Sequence, residues 1–219
     1  MNDILKAARL DFFLVRQYIK TTLLILLYPI FLVAIYKALL NGIAFAMCFV
    51  SMTSSYPFTI SEKNGVNRLY GILPVSRKHM VLGRYVFTFA LGLLSLLLQL
   101  LICPLILRLR GVETSPVDFF LTALMGLFLF TIFNAFLLPG FYKFGSIKGR
   151  LFMLIPAVAF IAVLLLAGFA GFETGPLYRV TLVSPLVLTA AVVLFCVVAF
   201  ALSIFVSIRI YENKEQDDE

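Results

Sequence analysis

The sequence predicts an all-α membrane protein, with six transmembrane helices preceded by an N-terminal interfacial amphipathic helix. Three observations carry this expectation. The chain of 219 residues is 62% hydrophobic and only 13% charged, against roughly 25% charged residues in an ordinary soluble domain. Its mean hydropathy of +1.05 is gathered into runs close to the roughly 20 residues that a helix needs to cross a bilayer. Its 18 Lys and Arg residues fall mostly in alternate loops, the bias that orients membrane proteins. Disorder is excluded by the apolar content, and collagen by having only 13 Gly and 9 Pro.

Residues 1–20 form the interfacial helix. At helical periodicity Asn2, Asp3, Lys6, Arg9, Arg16, Gln17 and Lys20 share one face, and Ile4, Leu5, Ala8, Phe12, Leu14, Val15, Tyr18 and Ile19 the other. Asp11 breaks the apolar face, and Leu10 and Phe13 sit on the polar side. A plain cytoplasmic extension of the first span is the alternative. No small-residue cleavage site follows the segment, so it is expected to be retained.

The transmembrane domain occupies 21–208, with apolar runs at 21–36, 38–60, 86–107, 118–139, 151–170 and 184–208. The first two are split at an outer turn over Lys37–Gly42, because one run of about forty residues is twice what a bilayer needs. Pro29, Pro104, Pro139 and Pro156 predict bends whose freed carbonyls need partners. Residues 209–219 are a cytoplasmic tail, its acidic end from Glu212 to Glu219 solvated and frayed. With both termini inside, 14 of the 18 basic residues lie inside; only Lys37, Arg108, Arg110 and Arg179 lie outside.

Several chemistries lack their residues. Every Asp and Glu lies outside the middle of the spans, which argues against a carboxylate-driven ion pathway. The single His79 sits in a basic loop, and Cys48, Cys103 and Cys196 are dispersed in apolar runs. No metal site, no catalytic residue and no Walker loop is therefore expected, so the chain is not expected to be an enzyme. The net charge of +7 is read as anchoring to lipid headgroups rather than nucleic-acid binding. The uncharged polar residues in the spans, Ser51, Thr53, Ser54, Ser55, Ser95, Gln99, Thr131 and Asn134, read mostly as hydrogen-bonding glue between helices, the other reading being that some line a polar pathway. Gln99 and Asn134 are the best candidates for that pathway, being amides near the middle of the third and fourth spans.

The loop at 61–85 carries the most information. Val66, Leu69, Tyr70 and Leu73 recur at i, i+3, i+4 and i+7, an apolar stripe on a short helix that Pro74 stops. Ser76 is the expected N-cap of the next helix, with Arg77, Lys78 and Arg84 at headgroup level. A two-turn helix is not stable alone in water, so it needs the membrane surface, the helix ends or a soluble partner to pack against.

Here the sequence resembles the ABC type-2 transporter permeases, in particular the small six-span bacterial exporter subunits. The resemblance rests on Glu62-Lys63-Asn64, Arg68-Leu69-Tyr70 and Leu73-Pro74-Val75-Ser76-Arg77 leading to Val81 and Arg84-Tyr85. Leu138-Pro139-Gly140-Phe141-Tyr142-Lys143-Phe144-Gly145 and Lys148-Gly149-Arg150 support it. One departure is Ser61-Glu62 where the family commonly has Asp-Glu.

The resemblance implies a permease that pairs with a second permease chain, identical or paralogous, in the bacterial cytoplasmic membrane. It further implies docking of cytoplasmic ABC ATPase subunits, which hold the ATP and Mg while this chain binds no cofactor. Glu62, Lys63, Val66, Arg68, Leu69, Tyr70, Leu73 and Arg77 are then the ATPase-coupling residues. The function implied is export of an amphipathic or peptide-like substrate. The competing readings are an immunity or resistance permease that expels antimicrobial peptides, and a membrane anchor or sensor scaffold without transport.

Overall fold

Lipid offers no partner to a backbone N–H or C=O, so apolar runs that enter a bilayer must satisfy their own hydrogen bonds as helices. The structure, a computed structural model, describes residues 2–36, 39–63, 65, 76–112, 114–159, 162 and 185–216. Among the described residues there is no strand. The elements are α1 (Asn2–Val15), α2 (Ile19–Tyr36), α3 (Leu39–Thr53), α4 (Tyr56–Lys63), α5 (Arg77–Leu109), α6 (Pro116–Gly149) and α7 (Pro185–Gln216). Short 3-10 turns at Arg16–Tyr18 and Arg150–Met153 follow α1 and α6.

Four stretches among the described residues are long and apolar enough to cross a membrane: Gly42–Lys63, Lys78–Leu109, Pro116–Ala159 and Val187–Asn213. A fifth is reached if α1 and α2 are counted as one broken span, since the chain bends by 80° between them. The expected fifth span at 151–170 is described only over 151–159 and at 162, so a count of six is not reached there. Residues 171–184 lie wholly outside the described residues.

Two boundaries differ from expectation for local reasons. The outer turn expected over Lys37–Gly42 does not extend past Leu39, because α3 is already helical from there. Gly42 lies inside that helix, where a Cβ would come within 1.9 Å of Val33 Cγ2 on α2. Its missing side chain serves close packing rather than a turn. The C-terminal helix runs on to Gln216, and Lys78 Nζ lies 3.6 Å from Glu212 Oε1. The first part of the expected frayed tail is therefore helical.

The second span is broken, and the sequence supplies the cause. Hydroxyls at Ser51, Thr53, Ser55 and Thr59 each bond the carbonyl three or four residues back. Such back-bonding competes with the helical ladder and bends it. The break comes at Ser54–Ser55, between α3 and α4. An apolar core of Val33, Ile43, Met47, Leu96, Cys103 and Phe130 joins α2, α3, α5 and α6.

Pro139 shows how a proline inside a helix is accommodated. It has no N–H to give to the carbonyl of Ala135, and Ser203 Oγ of α7 donates to that oxygen instead, at 3.0 Å. With its proton so used, Ser203 accepts from the Tyr85 hydroxyl at 2.6 Å, and Tyr85 in turn accepts from Ser207 at 2.8 Å. One satisfied chain of hydroxyls thus ties α5, α6 and α7 together.

Candidate functional site

The stretch that carries the family-like pattern leaves α4 after Lys63 and rejoins the described helices at Arg77, the first residue of α5. Val66, Arg68, Leu69, Tyr70 and Leu73 lie outside the described residues. What the structure describes are the two feet of that stretch, and each foot is fastened to a different part of the bundle.

The α5 foot begins at Ser76, in extended conformation before the helix as an N-cap requires. Its hydroxyl lies 2.7 Å from His79 Nδ1 rather than on a backbone N–H. Two turns further on, Arg84 is a junction. Its Nε lies 3.6 Å from Asp11 Oδ2 of α1, and its Nη2 donates to Ser61 Oγ of α4 at 3.1 Å. The guanidinium carbon sits 4.2 Å from the centroid of the Phe58 ring and 5.8 Å from that of Tyr142. One cation therefore touches α1, α4, α5 and α6.

This contact explains why Asp11 interrupts the apolar face of α1. The carboxylate points into the bundle with only 3% of its side chain exposed, and α1 lies close enough for it to reach Arg84. A Cβ at Gly83 would lie 2.6 Å from Ala7 Cβ and 3.0 Å from Ile4 O, so the absence of a side chain there allows the crossing. Burial pushes the Asp11 carboxyl up to about 6, against the downward pull of the Arg84 charge and hydrogen bond. The departure at Ser61 also acquires a reason: Ser61 gives Arg84 a neutral acceptor, while the carboxylate comes from α1.

The α4 foot is fastened to α6. Gly145 interrupts α6 with φ 76° and ψ −176°, a conformation open essentially to glycine alone. That break exposes the next amide, and Ser146 N donates to Glu62 Oε1 at 2.7 Å while the Ser146 hydroxyl donates to Glu62 Oε2. One turn before Glu62, Thr59 Oγ1 accepts from Arg150 Nη2 at 3.2 Å. Phe58 adds ring contacts with Phe141 and Tyr142, at centroid distances of 5.1 and 5.0 Å.

The two amides proposed for a pathway are both buried, Gln99 at 1% and Asn134 at 0% exposure. Asn134 Nδ2 donates to Ser51 Oγ at 3.0 Å and to Phe130 O at 2.9 Å, and its Oδ1 accepts from Ser54 Oγ at 2.8 Å. It binds α6 to α3 beside the break in the second span. Gln99 Oε1 accepts from the Cys103 thiol at 3.0 Å. Both amides flank the same apolar core, since Leu96, Cys103 and Phe130 belong to it.

Among the described residues no group of three or more His, Cys, Asp or Glu is placed to hold a metal ion. The residues that sequence reasoning missed are Asp11 and Arg84 as a pair, and Gly145-Ser146 as the seat of Glu62. Each left a signal: a lone carboxylate on an apolar face, and a Gly-Ser step between a span and its basic flank.

No curated protein and no solved structure matches the chain significantly. The family described as ABC-2 family transporter protein matches over residues 9–212, a stretch that contains both feet and the Arg84 junction. The match spans most of the chain's 219 residues, and the apolar helices agree with a multi-pass membrane protein. The chain therefore belongs to the ABC-2 transporter family, as a permease component of an ABC transporter.

Proposed function

We propose that this permease exports an amphipathic or peptide-like substrate across a bacterial cytoplasmic membrane, paired with a second permease chain and driven by ATPase subunits docked on the 61–85 loop. The partner holds ATP and Mg, and both termini of this chain lie on the partner's side. ATP hydrolysis takes place outside the bilayer, so work reaches the spans only through a rigid contact. The observation that supports this reading is the fastening of both feet, Glu62 to α6 and Arg84 to α1 and α4. A force applied between two such anchored feet is passed to the helices instead of being lost in local bending.

The test is Tyr70→Asp, which puts a charge on the apolar stripe of Val66, Leu69, Tyr70 and Leu73. Burying an unpaired charge against a partner costs several kcal/mol. The expected outcome is normal membrane insertion with loss of ATPase co-purification. A full-strength complex with undiminished export in that variant removes the docking role of the loop.

A further inference from the structure

Glu62 belongs to the segment expected to meet the ATPase, yet both of its carboxylate oxygens are engaged inside the chain. One accepts from the Ser146 amide at 2.7 Å and the other from the Ser146 hydroxyl. The seat is built for it. Gly145 alone permits the backbone turn that presents the Ser146 amide, and a Cβ there would stand 2.7 Å from Glu62 Oε1. Thr59 and Arg150 add a second tie on the same side of α4. Two charge-assisted hydrogen bonds on one carboxylate hold a contact firmly in a partly buried place. The sequence joins the 64–75 stretch only to the second and third spans. The clasp ties the last turn of α4, which leads into that stretch, to the fourth as well, at Gly145, where α6 departs from helical geometry.

We propose that Glu62 is a positioning residue that makes the α6 break move with the last turn of α4. Displacement at the ATPase contact then reaches α6 and the segment after it, as well as α4 and α5. This inference rests on the coupling reading above. The clasp needs acceptor oxygens and hydrogen-bond geometry, not a negative charge offered to a partner. Glutamine keeps one oxygen for the Ser146 amide and turns an N–H₂ toward the Ser146 hydroxyl, whereas alanine keeps nothing.

The experiment uses the full chain with its ATPase in lipid nanodiscs, in a cysteine-free background. Spin labels at Lys63 and Ile147 span the clasp. A second pair at Ile147 and Leu109 reports the α6 break against the far end of α5; Ile147 and Leu109 are 82% and 80% exposed. Distances are measured without nucleotide and after trapping with MgATP and vanadate. The expected result is a Lys63–Ile147 distance that holds in both states while Ile147–Leu109 changes. Glu62→Ala should lower the clasped population about tenfold, as loss of a charged hydrogen bond does, and abolish the Ile147–Leu109 change. Glu62→Gln should keep both, and Ser146→Ala, which spares the amide bond, should fall between.

An undiminished Ile147–Leu109 change in Glu62→Ala overturns the proposal. So does failure of Glu62→Gln alongside Glu62→Ala with the clasp distance intact, which returns Glu62 to a charge contact with the ATPase. If the wild-type Ile147–Leu109 distance ignores nucleotide while Glu62 still governs the clasp, the coupling reading itself fails and the clasp is a static fastening.

Discussion

At the scale of single residues, the Asp11–Arg84 pair makes the sharpest energetic statement. Both side chains are largely buried, at 3% and 12% exposure, and removing one partner of such a pair costs about 3–5 kcal/mol because the other charge is left without compensation. Arg84→Ala is expected to show a loss of that order in thermal or denaturant unfolding in detergent. Asp11 also gives a signed pH dependence. Its folded pKa, raised from 3.8 to about 6, means that the folded state holds the proton more tightly than the unfolded one. The stability from this group is fully present below pH 3.8 and is lost as the pH rises through about 6. Unfolding midpoints across that window should fall with rising pH on this account, and Asp11→Asn should remove the slope. A slope that survives Asp11→Asn would assign the dependence to another group.

At the scale of elements, the broken second span is held by one side chain of the fourth. Asn134 uses both amide hydrogens and its oxygen, on Ser51, Phe130 and Ser54. Asn134→Leu removes one contact to α3 and one to the break at Ser54, and leaves two hydroxyls to find other partners, with an expected cost of about 1–2 kcal/mol for interhelical bonds of this kind. Unfolding of the variant in detergent checks the figure. An unchanged stability would mean that the Ser51 and Ser54 hydroxyls are satisfied by the carbonyls behind them alone. The existence of a break near Ser51–Ser55 is legible in the run of hydroxyl residues. That Asn134 is the residue which seats it is not, because the partner lies 80 and more positions away in the chain.

At the scale of the whole molecule, the helices cluster their polar chemistry at the end of the bundle from which the 64–75 stretch departs. Asp11, Ser61, Glu62, Arg84 and Ser146 meet there, and the Lys78–Glu212 pair binds the start of α5 to the last turns of α7. The charge asymmetry of the sequence predicts that this end faces the cytoplasm. A single cysteine at Gly111, which is exposed after α5, should react with an impermeant thiol reagent in intact cells. A cysteine at Lys63 should not until the membrane is opened. The reverse pattern would invert the topology and move the docking surface to the wrong side for a cytoplasmic ATPase.

Hydropathy and charge by themselves determined that this protein is helical and membrane-embedded, and where most of its helices run. These are local properties: an apolar run of sufficient length must become a helix in lipid, whatever surrounds it. Tertiary structure alone decided what the exceptional residues are for. Asp11 reads in the sequence as a flaw in an amphipathic face and proves to be the counter-ion of Arg84. Glu62 reads as a group offered to a partner, and its carboxylate is engaged at the α6 break. Gly42 reads as a turn and is a packing contact with Val33. A buried polar atom must find a partner, but its periodicity carries no information on which distant helix will supply one, and that choice is made only when the helices pack.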